Sequence, residues 1–175
     1  MSIELIQSLI RDIPDFPKPG IVFKDITPIF EDGPGLQAVI DLFVDRWKDQ
    51  GIERVVGIES RGFLLCSAVA ARLGVGCGLV RKKGKLPWKT IERSYDLEYG
   101  SATVEAHIDM VGEGMKVAVI DDLLATGGTA QAAIDLCREL GAEVVEVGFL
   151  IELGFLPGRA KLEAGGSSVF APIVF

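Results

Sequence analysis

The stretch KVAVIDDLLATGG, residues 116–128, constrains the fold of this chain more than any other. It opens with an apolar run at residues 117–120 that is short and rich in β-branched side chains. Such a run predicts a strand buried on both faces, as in a parallel sheet. Apolar residues then recur at helical spacing until Gly141, a typical helix end, so a strand, a turn and a helix are expected in that order.

The turn between strand and helix has the chemistry of a binding site. Asp121 and Asp122 close the predicted strand, at the sheet edge where open α/β sheets bind ligands. The small residues that follow are Ala125, Thr126, Gly127, Gly128 and Thr129. Glycines allow close approach of the backbone, and N–H groups at a helix start attract anions such as phosphate. Carboxylates repel phosphate but suit sugar hydroxyls or Mg²⁺, so a ribose 5-phosphate meets both needs. Taken alone, Gly-Gly-Thr is more typical of an ordinary strand-to-helix turn than of a binding site.

Two further predicted strands deliver polar residues to the same edge. Ser60 and Arg61 follow one strand, and the basic residues Arg81 and Lys85 follow the next. Charges in such positions are also common on solvated surfaces, so the pattern alone leaves their role open. Alternation of strands with helical patterns predicts an α/β fold with a mainly parallel central sheet flanked by helices.

Composition narrows the class of protein. The 175 residues, 49% of them hydrophobic, fit one domain spanning residues 1–175. A formal net charge of −7 argues against binding nucleic acid or an anionic membrane through bulk electrostatics. The three cysteines are isolated and odd in number, and no basic leader with a long apolar run begins the chain. We therefore expect a cytoplasmic protein.

Two segments have irregular patterns. Residues 13–28 contain four prolines and a glycine, which predicts an irregular segment that either forms part of a site or covers the edge of the core. Residues 82–108 predict a flap, in which residues 95–99 and 101–107 pair as a hairpin.

The string VIDDLLATGGT, residues 119–129, resembles the phosphoribosyl-pyrophosphate (PRPP) signature of type I phosphoribosyltransferases, in the form found in the adenine phosphoribosyltransferase family. Further matches are PGIVFKD at residues 19–25, RKKGKLP at residues 81–87 and SYDLEYG at residues 94–100. The resemblance covers most of the chain. It implies purine salvage, in which adenine and PRPP give AMP and pyrophosphate, with Mg²⁺ carried as the PRPP complex.

The resemblance also implies residue roles, which divide by the part of the substrate that is bound. For the 5-phosphate these are Ala125, Thr126, Gly127, Gly128 and Thr129. For the pyrophosphate they are Ser60, Arg61, Arg81 and Lys85. For adenine they are Val22, Phe23 and Lys24, in a hood segment within residues 1–34. The implied catalytic residues are Glu98, Asp121 and Asp122, and the two aspartates are the only direct metal ligands it allows.

Other implications concern geometry and assembly. The resemblance implies a cis peptide between Glu59 and Ser60, and a homodimer in which a basic residue near Lys85 serves the neighbouring site. His107, the only histidine, is a weaker candidate for the general base than Glu98. Two other functions stay open: transfer to another purine, and a PRPP- or nucleotide-sensing regulator without catalysis.

Overall fold

The computed structural model describes residues 3–96 and 100–175. The helices are α1 (Ile3–Ser8), α2 (Thr27–Glu31), α3 (Gly33–Trp47), α4 (Gly62–Leu73), α5 (Gly128–Glu139) and α6 (Gly158–Ala164). The strands are β1 (Arg11–Pro14), β2 (Val22–Asp25), β3 (Arg54–Ile58), β4 (Gly76–Lys82), β5 (Thr90–Asp96), β6 (Ser101–His107), β7 (Lys116–Leu124), β8 (Glu143–Glu152), β9 (Val169–Phe170) and β10 (Ile173–Val174). No helix among the described residues has the length and apolar character needed to cross a membrane.

The main sheet has the strand order β10-β8-β7-β3-β4-β6-β5, and β9 also pairs with β8. The pairs among β10, β8, β7, β3 and β4 are parallel, whereas β6 pairs antiparallel with both β4 and β5. The predicted α/β fold with a mainly parallel sheet is confirmed. Because the central strands run the same way, the carboxyl ends of β3, β4 and β7 meet at one edge.

The central strands are apolar throughout because both faces of the sheet are covered. Val56 and Val119 face a cluster that includes α5, whereas Val55 and Ala118 face a cluster that includes α3 and α4. All four side chains are fully buried. Period-two alternation therefore separates two cores rather than a core from solvent.

Strand β7 is longer than the apolar run predicts. It continues to Leu124, so Asp121 and Asp122 lie within the strand rather than after it. Parallel pairing with β8 extends to Leu124 and Glu152, which carries the two carboxylates into the sheet. The strand thus ends two residues later than the sequence predicts, because pairing with β8 continues past the carboxylates to Leu123 and Leu124.

The hood is more regular than its prolines suggest. Strands β1 and β2 pair antiparallel, with Arg11 opposite Asp25 and Asp12 opposite Lys24. Both cross-strand pairs form ion pairs at 2.7 Å. Residues 15–21 are irregular as predicted, but the prediction is wrong for the two ends of the segment, which cross-strand charge pairs and main-chain pairing order as strands.

The predicted hairpin is present, with its first strand displaced. β5 pairs with β6 from Thr90, opposite His107, to Asp96, opposite Ser101. The first strand thus begins before residue 95. Residues 97–99 of the predicted strand, which include Glu98, lie outside the described residues.

Candidate active site

The turn after β7 forms a small cup at the carboxyl edge. Gly127 has φ +76°, a left-handed conformation that favours glycine, and α5 begins at the next residue. A cavity of about 90 Å³ lies there, and all five residues predicted to bind the 5-phosphate line it. These residues are Ala125, Thr126, Gly127, Gly128 and Thr129, joined by Asp121 and Leu123. The N–H groups that start α5 have no intrahelical partners and suit an anion.

The back of the cup is closed by α6. A Cβ atom at Gly158 would lie 2.2 Å from the carbonyl oxygen of Ala125, and one at Gly127 would lie 3.1 Å from the carbonyl oxygen of Gly158. Main chain therefore packs on main chain. The next residue, Arg159, donates from Nε and Nη2 to the buried carboxylate of Glu152 at 2.6–3.0 Å, which fixes α6 against the end of β8.

A larger cavity of about 280 Å³ adjoins the cup. It is lined by Glu59, Ser60, Arg61, Lys82, Asp121, Asp122 and Leu123. Asp121 and Leu123 also line the cup, so the two cavities are neighbours along β7. The peptide between Glu59 and Ser60 is cis, as predicted. A cup suited to an anion thus lies beside a second cavity that is lined by both carboxylates and a guanidinium group.

The two aspartates differ in their surroundings. Asp122 is buried, and its Oδ2 accepts a hydrogen bond from Nε of Arg61. Oδ1 of Asp121 accepts the N–H of Asp122 at 2.9 Å. Burial, followed by the neighbouring Asp122 carboxylate, raises the pKa of Asp121 well above its usual value. Hydroxyl donors or a cation would relieve this repulsion.

The basic residues at the end of β4 and just after it are arranged differently from the sequence expectation. Nε of Arg81 donates to Glu59 at 3.3 Å, and its Nη1 donates to the carbonyl oxygen of Lys85 at 3.0 Å. The N–H of Lys85 donates to the buried Glu105 at 2.8 Å. Neither residue lines the larger cavity, whereas Lys82 does. Sequence reasoning missed Lys82 within a basic run; strand alternation, which puts neighbours on opposite faces, was the available signal.

The hood lies over this edge through aromatic contacts. The guanidinium carbon of Arg61 is 6.0 Å from the ring centroid of Phe23. Nζ of Lys24 is 4.1 Å from the centroid of Phe175 and binds Asp12. Val22 is 53% exposed. Phe23 is therefore near the larger cavity, beside Arg61 of its lining and with Phe16 at 5.3 Å in an edge contact.

The hairpin reaches the cup through Tyr95. Oγ1 of Thr129 donates to the Tyr95 hydroxyl at 2.9 Å. Glu98 follows three positions later, outside the described residues. His107 instead lines a separate cavity with Arg54 and Asp109, one that shares no lining residue with the two site cavities. The structure thus gives His107 no place beside the cup.

Comparisons with known proteins agree with this geometry. Residues 27–161 match the phosphoribosyl transferase domain, and the chain belongs to that family. Within it, the chain is 54% identical over 161 residues to adenine phosphoribosyltransferase from Anaeromyxobacter sp. (strain Fw109-5), covering 92% of this chain and 91% of that relative.

Solved structures of adenine phosphoribosyltransferases share the fold. That of the Thermoanaerobacter pseudethanolicus protein superposes with a TM-score of 0.95 at 45% identity, covering 99% of this chain and 100% of that one. The Saccharomyces cerevisiae protein, complexed with adenine and an imino-altritol bisphosphate, gives a TM-score of 0.92 at 39% identity, covering 97% of each chain.

The raised pKa of Asp121 leads to a test. Asp121→Asn removes a buried charge, so the variant should be more stable than the wild type at alkaline pH. The advantage should shrink as the pH falls through the pKa of Asp121, because protonation then neutralises the wild-type carboxyl as well. Transfer activity should fall about 10- to 100-fold, since a charged acceptor is lost. Thermal unfolding across a pH series and kcat/KM measure both effects.

The control is Glu143→Gln, which neutralises an exposed carboxylate on β8. It should change neither quantity. An Asp121→Asn protein with full activity, or with lower stability at every pH, would contradict the role given to this carboxylate.

Proposed function

We propose that residues 1–175 act as one domain that transfers the 5-phosphoribosyl group of PRPP to adenine, giving AMP and pyrophosphate. The observation that carries the proposal is that the cup and the cavity around Asp121 and Arg61 lie side by side and share lining residues, with Phe23 of the hood beside Arg61. PRPP carries a phosphate, a diol and a pyrophosphate in that order, and these cavities offer matching groups in sequence.

The 5-phosphate binds in the cup. Main-chain N–H groups at the start of α5 donate to its oxygens, and the hydroxyls of Thr126 and Thr129 add donors. Gly127 and Gly128 permit this approach because no Cβ intervenes. Ala125 closes the loop against α6.

Asp121 and Asp122 accept hydrogen bonds from the ribose hydroxyls. Two carboxylates also suit Mg²⁺, which arrives as part of the PRPP substrate and neutralises charge on the pyrophosphate. Ser60 and Arg61 hold the pyrophosphate, and Lys82 is well placed to join them. Arg81 and Lys85 are further candidates, in their own or in the partner subunit's site.

Adenine stacks on Phe23 between the hood and the ribose. β2 pairs with β1 along one edge, and no second strand pairs with it among the described residues. The main chain at Val22 and Lys24 can therefore meet the base edge. Adenine presents an amino donor beside the N1 acceptor, whereas hypoxanthine and guanine present a keto acceptor beside an N1–H donor.

Catalysis follows from this arrangement. The bond from C1 of ribose to pyrophosphate breaks, and the electron pair leaves on the pyrophosphate oxygen. N9 of adenine forms the new bond through an oxocarbenium-like state, and Glu98 accepts the proton from N7. Positioning and charge stabilisation supply most of the acceleration, since the chain forms no covalent intermediate.

A second copy of the chain is the proposed partner. Leu79, Trp88 and Ile108 are exposed apolar residues around His107. Leu79 and His107 line one cavity, the Trp88 ring lies 6.2 Å from the His107 ring, and Ile108 is adjacent in sequence. A contiguous exposed apolar patch is typical of a protein interface.

The proposed location is the cytoplasm. The three free cysteines accord with that compartment, and cell fractionation tests it.

The proposed homodimer can be tested by a substitution that should separate the two subunits. Leu79→Glu puts a charge into the patch and should convert the protein to monomers, as measured by sedimentation velocity. Phe155→Ser is the matched control, because Phe155 is 76% exposed but lies outside the patch. A Leu79→Glu protein that sediments as the wild type does would contradict this interface.

The choice of base is tested by kcat/KM for adenine, hypoxanthine and guanine, measured side by side at saturating PRPP. A keto base leaves buried polar groups of the hood unpaired, at about 1–3 kcal/mol each. Two mismatches should favour adenine by at least about 100-fold. Equal values for adenine and hypoxanthine indicate another purine, and nucleotide binding without any product indicates a sensor.

The role of Glu98 is tested by Glu98→Gln, which keeps the size of the side chain and removes the proton acceptor. Turnover should fall by about 10²–10⁴, with PRPP affinity little changed. Asp96→Asn, a neutralisation two positions earlier, is the matched control and should keep most activity. Near-normal turnover in Glu98→Gln would contradict this role and leave His107 as the remaining candidate for the general base.

A further inference from the structure

Tyr95 connects the hairpin to the phosphate cup by two contacts. Its hydroxyl lies 2.9 Å from Oγ1 of Thr129. Its ring covers Gly128, the residue before Thr129, since a Cβ atom at Gly128 would lie 3.1 Å from Cδ2 of Tyr95. The side chain is half-buried and packs against the core cluster beside α5. Tyr95 therefore touches the two residues that begin α5, where the proposed 5-phosphate binds.

Which of the two hydroxyls donates in this hydrogen bond depends on whether a phosphate occupies the cup. A threonine hydroxyl has one proton to donate and two lone pairs to accept with. In the structure that proton goes to Tyr95. A phosphate in the cup is a stronger acceptor because it is charged. When Thr129 donates to phosphate, its lone pairs become available to Tyr95, whose own hydroxyl can then donate to Thr129.

We infer that Tyr95 is a positioning residue of the 5-phosphate site, donating to Thr129 while Thr129 donates to the phosphate. The inference rests on the proposed function. The resulting chain of hydroxyls, Tyr95 to Thr129 to phosphate, polarises each bond in turn and holds the Thr129 hydroxyl in the rotamer that the phosphate needs. Occupancy of the cup is thereby linked to β5, the strand that precedes Glu98.

The same hairpin provides a matched comparison. Oγ of Ser94 lies 2.9 Å from Oγ1 of Thr103, a second hydroxyl pair of equal length. That pair joins β5 to β6 only, and neither residue lines the cup. Loss of the Ser94 hydroxyl thus tests hairpin stability, whereas loss of the Tyr95 hydroxyl tests the link to the cup.

The experiment measures ribose 5-phosphate binding by calorimetry in the full chain. Tyr95→Phe keeps the ring over Gly128 and removes only the hydroxyl. Ribose 5-phosphate affinity should fall about tenfold, while pyrophosphate affinity and Tm stay close to those of the wild type. Ser94→Ala should bind both ligands as the wild type does.

A double-mutant cycle separates the relay from ring packing. Thr129→Val removes the hydroxyl between Tyr95 and the phosphate but keeps the β-branched shape. In that background Tyr95→Phe should cause no further loss of ribose 5-phosphate affinity. Additive losses, or unchanged binding by Tyr95→Phe alone, overturn the relay and leave the proposed transferase intact. A wild-type protein that binds no ribose 5-phosphate overturns both the cup and the relay.

Discussion

The site depends on keeping two adjacent carboxylates at the end of a buried strand. Asp122 is tolerable there because Arg61 binds it, and Arg61 comes from the turn between β3 and α4. That turn must approach β7 closely: a Cβ atom at Gly62 would lie 2.9 Å from both Oδ1 of Asp121 and the carbonyl oxygen of Ile120. One electrostatic requirement, the pairing of Arg61 with Asp122, therefore positions the start of α4 together with the proposed pyrophosphate and ribose residues. In the proposed function, substrate hydroxyls relieve the repulsion between these carboxylates, so a local cost in stability would serve binding.

The cup and the carboxylates belong to one strand and the turn that follows it, which explains why one stretch of sequence was so informative. Burial on both faces makes β7 readable from its apolar run, and the turn after it is readable from its glycines. The type of sheet follows, because strands alternate with helices along the chain. These features are local, so a short window of sequence contains their cause.

Features that depend on distant contacts were not readable in this way. Asp121 and Asp122 lie inside β7 because β8, more than twenty residues later, continues to pair with it. Lys82 rather than Arg81 lines the larger cavity, since Glu59 and the Lys85 carbonyl hold Arg81. The hood pairs as strands because Arg11 meets Asp25 across it. The contact of Tyr95 with Thr129 likewise joins segments that are separate in sequence.

The contact between Gly158 and the loop at Ala125 has a consequence for how the protein is made. The back wall of the phosphate cup is supplied by α6, and Arg159 secures that helix to Glu152 and to the carbonyl oxygen of Val169. A growing chain on the ribosome can form β7, the glycine turn and α5 before these residues have been synthesised. Its glycine loop then lacks the main chain that packs behind it. A complete cup therefore forms only after the last segments of the chain have docked, late in biogenesis.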